Sequence, residues 1–216
     1  MSRALKMMVG HSPATVVVNT PTILDAALYT PTNTCTSGSI SPSANSMLVV
    51  ACSGNNVAGT LVFQSTTLSN VGSWSYTTQV AAGNTKIRIA WANITGSPGT
   101  GTVTFNGFGT PGATRAVMHV IEVSNGATVA QSQTGTQTST TPSITLSSTP
   151  DVNSVVIAAI SHVSAATTPG ASFTELAENN GNRGMQSQYD AGSATTTVNW
   201  TSSSTDHNMV AIEVRG

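Results

Sequence analysis

Three features of the sequence predict an all-β fold. Apolar, often β-branched residues alternate with polar ones over short runs; Gly, Pro, Asn and Ser fall between the runs; and no stretch sustains the 3.6-residue spacing of an amphipathic helix. The class expected is an antiparallel, jelly-roll-like β-sandwich of about ten to twelve strands in two face-to-face sheets, with a barrel as second choice.

The strands follow in order from these patterns. Val16-Val17-Val18 marks a strand at 15–19, and the run from Met47 to Cys52 marks one at 46–53. Trp74 and Tyr76 alternate with Ser75 and Thr77 in 73–80, and Ile87, Ile89 and Trp91 alternate with Lys86 and Arg88 in 86–92. Val103 and Phe105 sit between threonines in 102–106, and Ala116 to Ser124 is a nearly continuous apolar run. A second series is read at 143–146, 154–162, 172–177, 185–190, 196–200 and 208–215.

The two series resemble each other. Asn45-Ser46-Met47-Leu48-Val49-Val50-Ala51 matches Asn153-Ser154-Val155-Val156-Ile157-Ala158-Ala159, and Met118-His119-Val120-Ile121-Glu122-Val123 matches Met209-Val210-Ala211-Ile212-Glu213-Val214. Between these anchors Trp74 corresponds to Phe173, Ile87 to Trp91 corresponds to Met185 to Tyr189, and Thr102 to Phe105 corresponds to Thr197 to Trp200. A degenerate twofold repeat is therefore expected, with half-repeats at 45–126 and 143–216. The anchor strands are apolar on both parities, which a half-exposed sheet would not tolerate, so the halves are expected to share one core in a single domain over 41–216. Residues 127–142, rich in Gln, Ser, Thr and Gly, are expected to be a connector. Residues 1–40 are expected to form an arm and first strands, lying over the sandwich or a neighbour.

Composition narrows the function. Only 7% of the 216 residues are charged, for a net charge of -1, whereas about a quarter is ordinary. The surface must then be wetted by hydroxyls and amides. Arg3, Lys6, Lys86, Arg88, Arg115, Arg183 and Arg215 are scattered, so no nucleic-acid partner is expected. Arg3 and Lys6 are followed by only Met7, Met8 and Val9 before Gly10, too short for the apolar segment of an export signal. No apolar run approaches the length of a membrane span, and no membrane association is expected. Cys35 and Cys52 could pair, although two buried thiols are the commoner state of such a pair in a chain that can build its own core.

In the order of its motifs the chain resembles β-sandwich domains of bacteriophage virion proteins and of some bacterial surface proteins. The residues that carry the resemblance are Asn45 to Ala51, Trp74 to Tyr76, Ile87 to Trp91, Thr102 to Phe105 and Val120 to Gly126, with Thr168 to Thr174 nearest the family's Pro-Ala-Gly-Trp-Thr turn. The match spans 45–216; it departs where no Pro precedes Trp74 and no Tyr follows Glu122. The resemblance implies a virion structural role and supplies no catalytic residue.

Glu122 and Glu213 hold equivalent positions, and a glycosidase needs two carboxylates about 5 to 10 Å apart; their parity favours carboxylates that accept backbone N–H groups at strand ends. Gly107-Phe108-Gly109-Thr110-Pro111-Gly112 spells a dinucleotide fingerprint but precedes a β-type run, so it reads as a hairpin loop. His11, His119, His162 and His207 lack ligand spacing, and His119 shares its parity with Val117 and Ile121, as a hydrogen-bonded core histidine would. Glu178 to Asn182 and Asp151 to Asn153 lack the carboxylate density of a calcium site. No Gly-x-Ser-x-Gly elbow occurs, and the sequons at Asn93 and Asn199 are no more than chance yields. Trp74, Trp91 and Trp200 fall on core parities and not on a sugar-stacking platform.

The expectation is thus a non-enzymatic virion structural protein of a bacteriophage, a capsid decoration or cement protein without catalytic, cofactor or metal residues and without a cofactor. It would be assembled in the host cytoplasm, bind the major capsid protein or other virion proteins, and form a homo-oligomer, with a trimer as the guess by resemblance. The alternative is a tail- or fibre-associated or carbohydrate-binding adhesive module.

Overall fold

The computed structural model describes residues 20–29, 33–55, 59–82, 85–107, 115–163, 166–180, 183–192, 194–203 and 206–216. The predicted strand at 15–19, His11 and most of the Gly107 to Gly112 motif lie outside them. Among the described residues the chain is all-β and antiparallel, with no helix.

The first nine strands are β1 (Thr22–Tyr29), β2 (Thr34–Thr36), β3 (Ser46–Asn55), β4 (Val62–Thr66), β5 (Ser75–Tyr76), β6 (Val80–Ala82), β7 (Thr85–Asn93), β8 (Val103–Asn106) and β9 (Ala116–Ser124). They are followed by β10 (Thr128–Thr138), β11 (Ser143–Thr145), β12 (Val155–His162), β13 (Thr167–Pro169), β14 (Thr174–Asn179), β15 (Met185–Ala191), β16 (Thr197–Ser202) and β17 (Asp206–Arg215). Two large sheets have the orders β1-β9-β3-β7-β5, with β6 also on β7, and β10-β17-β12-β15-β14; two small ones have the orders β2-β8-β4 and β11-β16-β13. With β6 set aside, the strand order within residues 22–124 is the same as that within 128–215 when each is counted from its own first strand. The registers agree too, since Val49 lies opposite Trp91 and Ile121 while Ile157 lies opposite Tyr189 and Ile212.

The expectation of two sheets with ten to twelve strands is corrected to four sheets with seventeen strands among the described residues. The reason lies in the double parity of the anchor strands. Met47, Val49 and Ala51 of β3 meet Val155, Ile157 and Ala159 of β12 and Val210, Ile212 and Val214 of β17 in a central layer between the large sheets. The alternate residues Leu48, Val50 and Cys52 point the other way, onto Cys35, Val103 and Phe105 of the first small sheet. In the second half Val156, Ala158 and Ile160 do the same against Ile144, Val198 and Trp200. A strand with both faces covered must be apolar at every position. The molecule is therefore a stack of four sheets with a shared central core and one further core on each side.

Two readings of individual stretches, at 127–142 and at 73–80, are also corrected. The stretch read as a connector is largely strand β10, on the edge of the second large sheet beside β17; its Gln, Ser and Thr residues hid it because only one of its long edges is paired. Within residues 1–40, read as an arm and first strands, β1 and β2 belong to the first large and first small sheets. The strand predicted at 73–80 is broken into β5 and β6, which both pair with β7. As the commoner state of such a pair implies, the Cys35 and Cys52 side chains are free thiols, both buried in the first outer core. Burial pushes the Cys35 thiol up to about 12.

Candidate functional site

The candidate carboxylates do not converge. Glu122 is in register with Leu48 and Glu213 with Val156, so each points away from the central core toward its own small sheet. Large sheets stack about 10 Å apart, and carboxylates projecting from their far sides are beyond the separation that glycoside hydrolysis allows. Each instead fastens the loop that enters the third strand of its half. Glu122 Oε1 accepts the Ser43 N–H at 2.6 Å, and Ser46 Oγ donates to the Ser43 carbonyl at 2.9 Å. Glu213 Oε1 accepts the Asp151 N–H at 2.8 Å, and Ser154 Oγ donates to the Asp151 carbonyl at 2.7 Å.

Glu213 has further partners. Gln131 Nε2 donates to its Oε2 at 2.7 Å, and Arg215 Nε to its Oε1 at 2.8 Å. Burial works to raise its pKa, but the hydrogen bonds from Arg215, the Asp151 backbone and Gln131 outweigh it and hold the carboxyl below its usual value. Glu122→Gln and Glu213→Gln are each expected to lower stability by about 1–3 kcal/mol, since each weakens a charge-assisted hydrogen bond to an otherwise unpaired donor. Urea denaturation of the two variants checks this; unchanged midpoints would contradict the structural role.

His119 is fully buried on the central side of β9. Its Nδ1 lies 2.9 Å from Ser187 Oγ and its Nε2 lies 2.6 Å from Asn179 Oδ1, so one ring bridges the two halves of the chain. With Nε2–H donating to the amide oxygen, Nδ1 accepts the Ser187 hydroxyl. Burial lowers the His119 pKa to about 4, against the opposing effect of the hydrogen bond that the ring donates to Asn179, so the ring is neutral at pH 7. A serine donating to a neutral imidazole has the polarity of a nucleophile and its base. Ser187 and His119 are nevertheless wholly enclosed between sheets, whereas attack needs a substrate carbon within about 3–3.5 Å of the oxygen. Asn208 Nδ2 extends the same seam by donating to the Thr85 carbonyl at 3.2 Å. These groups read as polar pairing between halves.

The tryptophans separate among three layers. Trp74 stacks on Phe63 at 4.9 Å between ring centroids and meets Phe105 edge-on in the first outer core. Trp91 packs on the central core, and Trp200, 2% exposed, lies in the second outer core with its Nε1 donating to Gln186 Oε1 at 2.8 Å. No shared aromatic platform results. Arg88 is likewise held inside the fold, over the Tyr76 ring at 4.3 Å, with Nη1 donating to the Leu61 carbonyl at 2.8 Å. Among the described residues no group of three or more His, Cys, Asp or Glu side chains could hold a metal ion.

Two outer faces lie beyond these cores, on the two small sheets. None of β2, β4, β8, β11, β13 or β16 contains a charged residue. Their outward positions carry hydroxyls and amides, because alternation that sends Val103 and Phe105, or Val198 and Trp200, inward sends Thr104 and Asn106, or Thr197, Asn199 and Thr201, outward. Thr36 and Thr104 pair through their hydroxyls at 2.9 Å on the first face.

The second face also carries a groove of about 350 Å³, lined by Thr141, Ser143, Thr197, Asn199 and Thr201 with Pro169, Gly170, Ala171 and Trp200. Its walls are tied from below by Gln188, which is fully buried; its Oε1 accepts the Gly170 N–H at 3.3 Å and its Nε2 donates to the Asn199 carbonyl at 3.1 Å. A Cβ at Gly170 would stand 2.8 Å from the Asn199 carbonyl oxygen and would meet the Asn199 side chain, so a larger residue here must displace the groove wall. Sequence reasoning missed Gln186 and Gln188; two glutamines flanking Ser187 inside a predicted strand were the available signal of a buried polar clamp.

Comparison with known proteins returns no match among family models, curated proteins or solved structures.

Proposed function

We propose that this chain is a non-enzymatic structural component of a bacteriophage particle, a decoration or cement protein that docks on the capsid surface through its outer sheets. The observation that carries the reading is the absence of charge from all six outer strands. A face of hydroxyls, amides and strand backbone can be covered by another protein without stripping water from an ion, which would cost several kcal/mol per charge. It is a surface suited to static contact. The resemblance over 45–216 supplies the particle, and the major capsid protein or other virion proteins are the partners it implies. The matching strand orders and registers support descent from a duplicated jelly-roll-like unit, which would give the molecule two related faces on opposite sides of the stack.

The test is to add the purified protein back to particles that lack it and follow co-sedimentation as salt is raised. Attachment should hardly change between about 0.1 and 1 M salt, a range over which charge-driven binding is screened. Release within that range, or failure to bind, would contradict the proposal.

A second reading, a carbohydrate-binding adhesive module on a tail or fibre, is favoured by the groove. It is uncharged, hydroxyl-lined and held by a buried clamp, and so suits a neutral saccharide, although it offers no exposed ring for stacking. Glycan-array binding by the wild type, lost in Gly170→Ala with the fold retained, would establish it in place of capsid docking.

A further inference from the structure

The open edges of the two large sheets are not alike. An edge strand exposes a row of unpaired N–H and C=O groups, and proteins guard such rows with charges, proline, bulges or short strands. In the first large sheet, β1 carries Asp25 with a bulge between Ile23 and Asp25, and the opposite edge consists of the short strands β5 and β6. In the second, β14 carries Glu175 and Glu178 and a bulge between Glu175 and Ala177. The remaining edge is β10, which has 11 residues and neither charge nor proline. Its one bulge lies at Val129/Gln131, and from Gln131 to Thr138 the register with β17 is regular. On the side away from β17 it has no backbone partner among the described residues. From Val123 to Pro150 the chain has no charged residue at all.

We propose that β10 is a dimerisation edge, where the β10 strands of two copies pair antiparallel about a twofold axis and join their five-stranded sheets into one of ten strands. The charge pattern selects a second copy as the occupant. Antiparallel pairing about a dyad sets each residue beside one from the same short segment, so a charge at the dyad would face its own copy and charges of one sign on either side of it would face each other, and like charges directly opposite destabilise a strand pair. β10 is the long edge that meets this condition. The pairing also closes on itself, because each copy has one such edge, and it leaves both outer sheets uncovered. The inference is independent of the particle reading.

The experiment is sedimentation equilibrium of the full chain, with two double variants at exposed positions of β10. The wild type should be a dimer. Ser132→Lys with Thr136→Lys, and Ser132→Glu with Thr136→Glu, should each weaken association by about tenfold or more, and an equimolar mixture of the two should restore the dimer. As a readout that needs no variant, amide exchange over 131–138 in the wild type should slow as protein concentration rises. A monomeric wild type, a dimer indifferent to both double variants, or exchange that does not respond to concentration would overturn the proposal. So would loss of the dimer on removing residues 1–19 while both charge variants still dimerise, which would assign the contact to the N-terminal segment.

Discussion

Ile121→Ala is expected to cost about 2–5 kcal/mol, the range for truncating a fully buried aliphatic side chain to alanine. Ile121 is 0% exposed in the central core, in register with Ile23 and Val49 and packed against the other large sheet. Net stabilities of about 5–15 kcal/mol are ordinary, so the loss would be a large share of the total. Its form is as informative as its size. Because the side chain lies in the layer that both halves build, denaturant unfolding should remain one transition moved to lower midpoint. A second transition that leaves residues 143–216 folded would contradict the shared core.

The second large effect is with pH. Burial lowers the His119 pKa from 6.5 to about 4, so between these values the unfolded chain binds a proton that the native chain does not. Stability is at its full value above about pH 6.5 and falls as the pH drops toward 4, by up to about 1.4 kcal/mol per unit and about 3 kcal/mol in all from this residue. His162, lowered to about 4 by burial and the neighbouring His207, acts in the same direction. His119→Gln removes one titration, and should roughly halve the slope of urea midpoint against pH in that window. A slope identical to that of the wild type would show that His119 is not buried neutral between the sheets.

Much of the fold was legible, and its gaps have physical causes. The strand predicted at Ala116 to Ser124 is β9 with both ends matched, because a strand covered on both faces writes its length as an unbroken apolar run. That run did not reveal what covered each face. A shared core alone and a shared core plus an outer one demand the same residues of β3, and only the partners of Leu48 and Val50 distinguish them. Among strands with one solvent-facing side or one free edge, β8, β11, β14 and β16 were legible and others were lost. β10 reads as polar linker and β4 has no apolar alternation, while β2 and β13 are three residues long. Among the candidate groups, the equivalence and parity of Glu122 and Glu213 did announce strand-end carboxylates. The parity of His119 announced a core position, but Ser187 and Asn179 come from the other half and meet it only because the two large sheets stack. The groove was invisible for the same reason, since its walls come from β11, β16 and the turn after β13, which are adjacent only through the order of the small sheet.

Native-state hydrogen exchange is the most direct test of the claim on which the rest depends, that the two halves are one cooperative body around a common central layer. The slowest amides should lie in β3, β9, β12 and β17, open with one free energy equal to that of global unfolding, and lose protection together in Ile121→Ala. Two sets with different opening energies, one within residues 22–124 and the other within 128–215, with only the first responding to Ile121→Ala, would contradict it.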